Sequence, residues 1–296
     1  LILRVATRGS ALARWQAEHV ATLLRAATPE LDVELVVVDT AGDRRQDVAI
    51  WQIGGKGVFV KEVQAAVLDG RADIAVHSAK DLPSQEFEGL ALAAVPERGE
   101  VRDALVGSTL ADLPAGGRVA TGSARRRAQL ADRRPDLTFA ELRGNIPTRL
   151  ERAREHDAIV VAAVALERLG RSDAITEVLP VDVLLPQVAQ GALAIECRSD
   201  DDATRELLAR IEHRASRTAV DAERAFLAQL GGDCDLPAGA YATTDGDTVE
   251  VQGLLASLDG RVVLRHRLTG SDPIATGQAV ATHLLDGAGG REVLSA

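Results

Sequence analysis

Over its first eighty or so residues the chain alternates between apolar runs short enough for buried strands and longer stretches with helical spacing. Strands are expected at 1–7, 33–40 and 72–78, with helices at 10–26 and 58–68 between them. Such βα units can bury both faces of a sheet only if the strands run mostly parallel. In the first helix Leu12, Trp15, His19, Val20, Leu23 and Leu24 recur at three- and four-residue spacing behind Ser10, a natural N-cap. A second set spans about 103–185, with strands at 118–121, 137–142 and 158–162 and helices after Ser123, Pro147 and Ala163. After Pro186 comes GALAIEC, with a strand at 192–197 suited to the interior of a sheet already built. That strand implies a return into the first domain, two chain crossings and a hinge. Helices at 201–213 and 215–230 lead to a small antiparallel sheet with turns at Asp245-Gly246-Asp247 and Asp259-Gly260, then a helix at 275–285.

The expected fold is therefore α/β. It comprises a first αβ domain from 1–97 and 190–213, a second from 98–189, and a small C-terminal α+β domain from 214–296. The length of 296 residues exceeds what one ordinary core organises. Aromatic residues make up 2% and Met is absent, so the cores are built from Ala, Val, Leu and Ile, which disfavours a base-stacking surface. A net charge of −10 opposes nonspecific binding to nucleic acid or membrane, and positive charge must act locally. No apolar run reaches the roughly 18 residues of a membrane span, and the opening residues look like a strand rather than a signal peptide. With only Cys197 and Cys234 there is no disulfide framework, and a cytoplasmic protein is expected.

Only three of the 34 basic residues are lysines, and all three lie between Gly54 and Asp81. A lysine kept among arginines suggests a site wanting a compact point charge. The same segment holds Gly54-Gly55-Lys56-Gly57, where backbone N–H groups can approach a ligand closely, and the strand that delivers His77, Ser78, Lys80 and Asp81 at its carboxyl end. Asp81 reads either as a turn cap before Leu82-Pro83 or as an ionised group able to stabilise a transient cation or exchange protons with an amine.

Four places set arginine beside a strand end or helix start, where unpaired N–H groups already favour anions: Arg8 with Ser10, Ser123 with Arg125 and Arg126, Arg143 with Arg149, and Arg168. Taken singly, each is a solvated arginine or a cap. Together, in equivalent positions of two αβ domains, they suit a ligand rich in carboxylates. Phosphate is disfavoured, since GGKG lacks the spacing and trailing hydroxyl of a nucleotide loop and no G-x-G-x-x-G follows a strand. Cys234, in GGDCDLP, is a candidate nucleophile or attachment point, whereas Cys197 reads as an inert core thiol. Without Cys-x-x-Cys or paired histidines on a helix, no metal site is expected.

In order, ATRGSALARWQ, GGKGVFVKE, ADIAVHSAKDLP, TGSARRRAQL, LRGNIPTRL, LPQVAQGALAIECR and AERAFLAQLGGDCDLPAGAYA resemble the hydroxymethylbilane synthase, or porphobilinogen deaminase, family across nearly the whole chain. The resemblance implies two periplasmic-binding-protein-like αβ domains and a cofactor-bearing C-terminal domain. It implies a transferase that joins four porphobilinogen molecules head to tail, releasing four ammonia molecules, on a dipyrromethane primer held by a cysteine thioether. By the same resemblance Cys234 is the attachment point and Asp81 the catalytic carboxylate. Arg8, Ser10, Lys80, Ser123, Arg125, Arg126, Arg143, Arg149 and Arg168 bind the acid groups of cofactor and substrate. Gln190 matches a cleft residue of the family that binds cofactor or substrate, and Lys56 and Phe59 match its flexible loop beside the active site. A monomer is expected. One departure stands out, because Asp233 occupies a position where the family usually has glycine; a carboxylate beside the thiol bears on primer loading. The rival reading is a non-enzymatic two-domain binding protein for an anionic metabolite, which would not require an accessible Cys234.

Overall fold

The computed structural model describes residues 2–40, 60–85, 87–231 and 236–295. Lys56, Phe59, Asp233 and Cys234 lie outside the described residues.

In chain order, β1 (Ile2–Arg8), α1 (Ala11–Ala27), β2 (Asp32–Val38), α2 (Lys61–Leu68), β3 (Ile74–Ser78) and β4 (Leu90–Ala94) come first. They are followed by β5 (Asp103–Val106), β6 (Arg118–Ala120), α3 (Ala124–Arg133), β7 (Thr138–Ala140), α4 (Ile146–Arg152), β8 (Ala158–Ala162), α5 (Ala163–Arg168) and β9 (Glu177–Val178). Next are β10 (Leu193–Arg198), α6 (Asp202–Ala209) and α7 (Arg214–Gln229). The chain ends with β11 (Ala238–Asp245), β12 (Thr248–Ala256), β13 (Val263–Gly270), α8 (Pro273–Thr282) and α9 (Gly290–Ser295).

The contacts divide the chain into two compact units, residues 1–99 with 192–217 and residues 100–191 with 218–296. The first unit has a five-stranded sheet in the order β2-β1-β3-β10-β4. Its strand β1 runs parallel to β2 and β3, while β10 is antiparallel to both β3 and β4. The second unit repeats this plan in the order β7-β6-β8-β5-β9. There β6 is parallel to β7 and β8, and β5 is antiparallel to β8 and β9. In the first sheet β10, inferred from GALAIEC, comes from a later part of the chain and is inserted antiparallel, and in the second sheet β5, the first of five consecutive strands, fills the corresponding antiparallel place. The second unit also contains the antiparallel sheet β11-β12-β13.

Apolar side chains cover both faces of the first sheet. Val5, Ile74, Val76 and Ile195 pack with Val20 and Leu24 of α1, and Ala6, Ala75 and Leu90 pack with Val63 and Val67 of α2. Ser10 caps α1 by accepting the Ala13 N–H at 3.2 Å, and Ser123 caps α3 by accepting that of Arg126 at 3.4 Å. In the second unit α3 packs its Ala128 against Leu254 and Ala256 of the three-stranded sheet, while Phe226 of α7 lies so close to Gly253 that a Cβ there would meet its ring at 2.6 Å. Strands β4, β5 and β9 are not among the expected strands, and the expected strand at 137–142 shortens to β7. The last long helix starts earlier than expected because Asp272 caps it, accepting the Ala275 N–H at 3.0 Å ahead of Pro273.

Candidate active site

The first unit presents Arg8, Ser10, Lys80 and Asp81 at the carboxyl ends of β1 and β3, adjacent parallel strands. This is where αβ sheets place ligand-binding groups. Strand β3 is buried along Ile74 to His77 and emerges at Ser78, so the chain turns at the edge of the apolar layer. The turn Ala79–Asp81 is anchored by the Ala79 N–H, which donates to Ala192 O at 3.0 Å, and it closes through the Leu82 N–H to Ala79 O at 3.3 Å. Because the backbone closes this turn, the half-buried Asp81 carboxylate is not needed as its cap. Ser10 uses its oxygen as an acceptor for α1, which leaves its hydroxyl hydrogen to donate outward.

In the second unit, three of the expected site residues converge on an acid that the sequence did not single out. Asp103, fully buried on β5, receives Arg125 Nη2 at 2.7 Å, Arg126 Nε at 3.0 Å and Nη2 at 2.7 Å, and Gln190 Nε2 at 2.9 Å. Arg126 also donates to Val160 O at 3.0 Å, Arg125 to Leu185 O at 2.6 Å and Gln190 to Val101 O at 2.8 Å. Burial alone would lift the Asp103 carboxyl, but the two guanidiniums outweigh it and hold the group far below the usual carboxylate range. Burial pulls the Arg125 guanidinium below its ordinary value; Asp103 opposes that shift and the like charge of Arg126 adds to it. Arg125 stays cationic nonetheless, because a guanidinium starts so far above neutrality. Two cations and one anion leave a surplus positive charge in a dry setting. The Arg125 Nε–H is buried there without a hydrogen-bond partner among the described residues. An unmet buried donor beside surplus positive charge fits an anionic ligand oxygen.

The surrounding backbone is specialised for this cluster. A Cβ on Gly239 of β11 would lie 2.7 Å from Pro186 O and 3.1 Å from Arg125 Cδ, so the strand that follows the Cys234 segment runs directly against Arg125. Ala189, beside Gln190, holds a φ of 58°, the only such value for a non-glycine among the described residues. Glu223 of α7, fully buried, fastens it by accepting the Ala189 N–H at 2.6 Å and the Ala242 N–H of β11 at 2.8 Å. Arg168 donates to Gly191 O at 2.7 Å, and burial pushes its guanidinium down to about 10, still charged near neutrality.

Arg143 lies in the loop between β7 and α4, and Arg149 lies within α4. Arg149 Nε donates to Gly144 O at 2.8 Å, and Gly144 adopts a φ of 103°. Arg143 is half-buried, with a loose contact of 3.8 Å to Glu141. Asn145 caps α4 by accepting the Thr148 N–H at 3.0 Å. Cys197 is fully buried, and burial pushes its thiol up to about 11, as befits an inert core residue. Among the described residues no three His, Cys, Asp or Glu side chains are grouped to hold a metal ion, and no helix is long and apolar enough to cross a membrane.

Two family models match in succession. They are the porphobilinogen deaminase dipyromethane cofactor binding domain over residues 3–206 and the porphobilinogen deaminase C-terminal domain over residues 217–286. The porphobilinogen deaminase of Roseiflexus castenholzii is 48% identical over 299 residues, covering 99% of this chain and 98% of its own. That of Acidithiobacillus ferrooxidans is 48% identical over 288 residues, covering 96% of this chain and 94% of its own. That of Syntrophus aciditrophicus is 44% identical over 299 residues, covering 99% and 97%. With both family domains present in order and relatives aligned from end to end, the chain belongs to the porphobilinogen deaminase family.

Proposed function

We propose that this chain condenses four porphobilinogen molecules into hydroxymethylbilane with Asp81 as its catalytic carboxylate and Cys234 as the attachment point of its dipyrromethane cofactor. The observation that carries the placement of the cofactor is the Asp103 cluster: surplus positive charge, an unmet Arg125 donor, and β11 pressed against Arg125 a few residues beyond Cys234. These residues fit a cofactor bearing acetate and propionate groups. When bound, the dipyrromethane supplies the pyrrole carbon on which the chain is extended. Ser123, Arg125 and Arg126 hold its acid groups, and Gln190 supports them by donating to the Asp103 carboxylate between the two arginines. Arg8, Ser10, Lys80, Arg143, Arg149 and Arg168 receive those of the incoming substrate and the lengthening product. Lys56 and Phe59 belong to a loop beside the site.

Asp81 then acts on the substrate. As ammonia leaves the protonated aminomethyl group of porphobilinogen, the positive charge passes to the methylene-pyrrole left behind, and a carboxylate fixed at a strand end stabilises it without reorganisation. The same carboxylate orients the leaving amine and accepts a ring proton after the new bond forms. A single acid serves every round because each condensation is chemically the same. A cytoplasmic monomer with a first αβ domain, a second αβ domain and a cofactor-bearing C-terminal domain is the organisation that goes with this reading. A binding protein without chemistry is not favoured, since it has no use for a covalent primer.

Intact mass of the denatured protein tests the attachment. Wild type should carry an increment of two linked pyrrole units, Cys234→Ala should lose it, and Cys197→Ala should keep it. An active wild-type protein of unmodified mass would refute the assignment.

A further inference from the structure

Gln64, Glu196 and His77 form a buried polar chain that takes no part in the chemistry above. They come from α2, β10 and β3 and are 3%, 5% and 5% exposed. Gln64 Nε2 donates to both carboxylate oxygens of Glu196, at 3.1 Å to Oε1 and 2.9 Å to Oε2. Glu196 Oε2 also lies 3.0 Å from His77 Nε2. That ring nitrogen has no aligned hydrogen-bond partner among the described residues. Apolar side chains of the same volume would fill this space without the desolvation cost of a carboxylate, and the best-attested use of such a buried polar group is to fix register.

The register it fixes leads to Asp81. Antiparallel pairing sets Ala194 opposite His77 and Leu193 opposite Ser78. One residue further on, Ala192 O accepts the Ala79 N–H that opens the Ala79–Asp81 turn. A one-residue slip of β10 would turn Glu196 to the opposite face of the sheet and withdraw Ala192 O from the turn. Gln64 extends the same control to α2, the helix that begins just after the segment carrying Lys56 and Phe59. Asp81 itself lies only four positions beyond His77.

We propose that Gln64, Glu196 and His77 are positioning residues that fix the Asp81 turn through the β3–β10 register and tie α2 to it. The proposal rests on the reading of Asp81 as the catalytic carboxylate. All three are buried beneath the surface of the first unit.

The test uses full-length, cofactor-loaded protein with Glu196→Gln, Gln64→Met and Asp81→Asn, singly and with Glu196→Gln combined with Asp81→Asn. Rates are expressed per cofactor-loaded molecule, counted by intact mass, and thermal midpoints are measured alongside. Gln64→Met keeps the length of the side chain and provides a second probe should Glu196→Gln fail to fold. Glu196→Gln and Gln64→Met should each lower kcat about tenfold or more, since a carboxylate displaced by an ångström loses that much. KM should change by no more than about twofold. The double variant should be no slower than Asp81→Asn alone, because nothing remains to be positioned. A lowered thermal midpoint with wild-type kcat in both single variants would make the chain purely structural and overturn the proposal. So would rate losses that multiply in the double variant. Wild-type turnover in Asp81→Asn would instead remove the reading of Asp81, and this proposal with it.

Discussion

Arg125 Nη2 and Asp103 Oδ2 are 2.7 Å apart, with side-chain exposures of 2% and 0%. Arg126 shares the same carboxylate, so Asp103→Asn would leave two buried guanidiniums facing a neutral amide. Removing one partner from a buried ionic cluster costs about 3–5 kcal/mol, and the urea midpoint should fall accordingly. The pH dependence has a definite sign. The folded-state pKa of Asp103 is depressed, so its contribution is complete above the ordinary unfolded carboxylate value of about 4 and is lost as pH falls below it. The stability gap between wild type and Asp103→Asn should therefore be widest at neutral pH and narrow in acid. Urea titrations at several pH values check this, and a gap that stays constant from neutrality to strong acid would contradict the ionised cluster.

Gly239 tests how β11 meets that cluster. A methyl group there would lie 2.7 Å from Pro186 O, 3.2 Å from Leu185 O and 3.1 Å from Arg125 Cδ. Two of these neighbours are backbone and cannot swing aside. Gly239→Ala should cost about 1–3 kcal/mol by overpacking. Because the displaced strand borders Arg125, the fraction of molecules carrying the cofactor by intact mass should also drop. Unchanged stability with full cofactor loading would show that β11 yields easily at this point.

The position of Asp81 just past a buried strand was legible because the apolar run at 74–76 precedes it, and burial of that run dictates where the chain emerges. Ser10 and Ser123 were legible for a local reason, since a cap bonds to an N–H only three residues away. The convergence on Asp103 was not. Its partners stand 22, 23 and 87 positions along the chain, and nothing local separates a buried acid from an ordinary surface one. Glu223 escaped for the same reason: its acceptors serve backbone amides 34 and 19 positions away. Glu196 was read only as part of a core strand. The arginines were expected to face a ligand, whereas Arg125 and Arg126 donate five hydrogen bonds to the chain itself, and only tertiary structure reveals that division.

The two cysteines should differ in thiol titration. Cys197 is fully buried, and burial pushes its thiol up to about 11, so at pH 8 the thiolate amounts to on the order of one molecule in a thousand. Native protein should resist alkylation at that position. After denaturation Cys197 should label fully, while Cys234 in a thioether should not, giving one reactive thiol rather than two. Two labelled thiols in denatured, active enzyme would contradict the covalent primer.

Asp81 carries the decisive prediction. The Asp81→Asn change keeps the size of the side chain, and the turn that holds it closes through backbone bonds from Ala79 and Leu82, so the variant should fold with a near-normal midpoint. What it loses is the charge opposite the developing cation. Removing a group of this kind lowers turnover by roughly 100-fold or more. Asp81→Glu retains the charge but carries it one methylene further from β3, so it should keep more activity than the amide. The order of rates, wild type above Asp81→Glu above Asp81→Asn, separates charge from packing, because a purely steric role would make the isosteric amide the milder change. Measuring hydroxymethylbilane release together with the lengths of the covalent chains distinguishes a slow condensation from a missing primer. If Asp81→Asn proved faster than Asp81→Glu with equal cofactor content, the carboxylate would be a spacer, and the proton transfers would have to be sought on another residue.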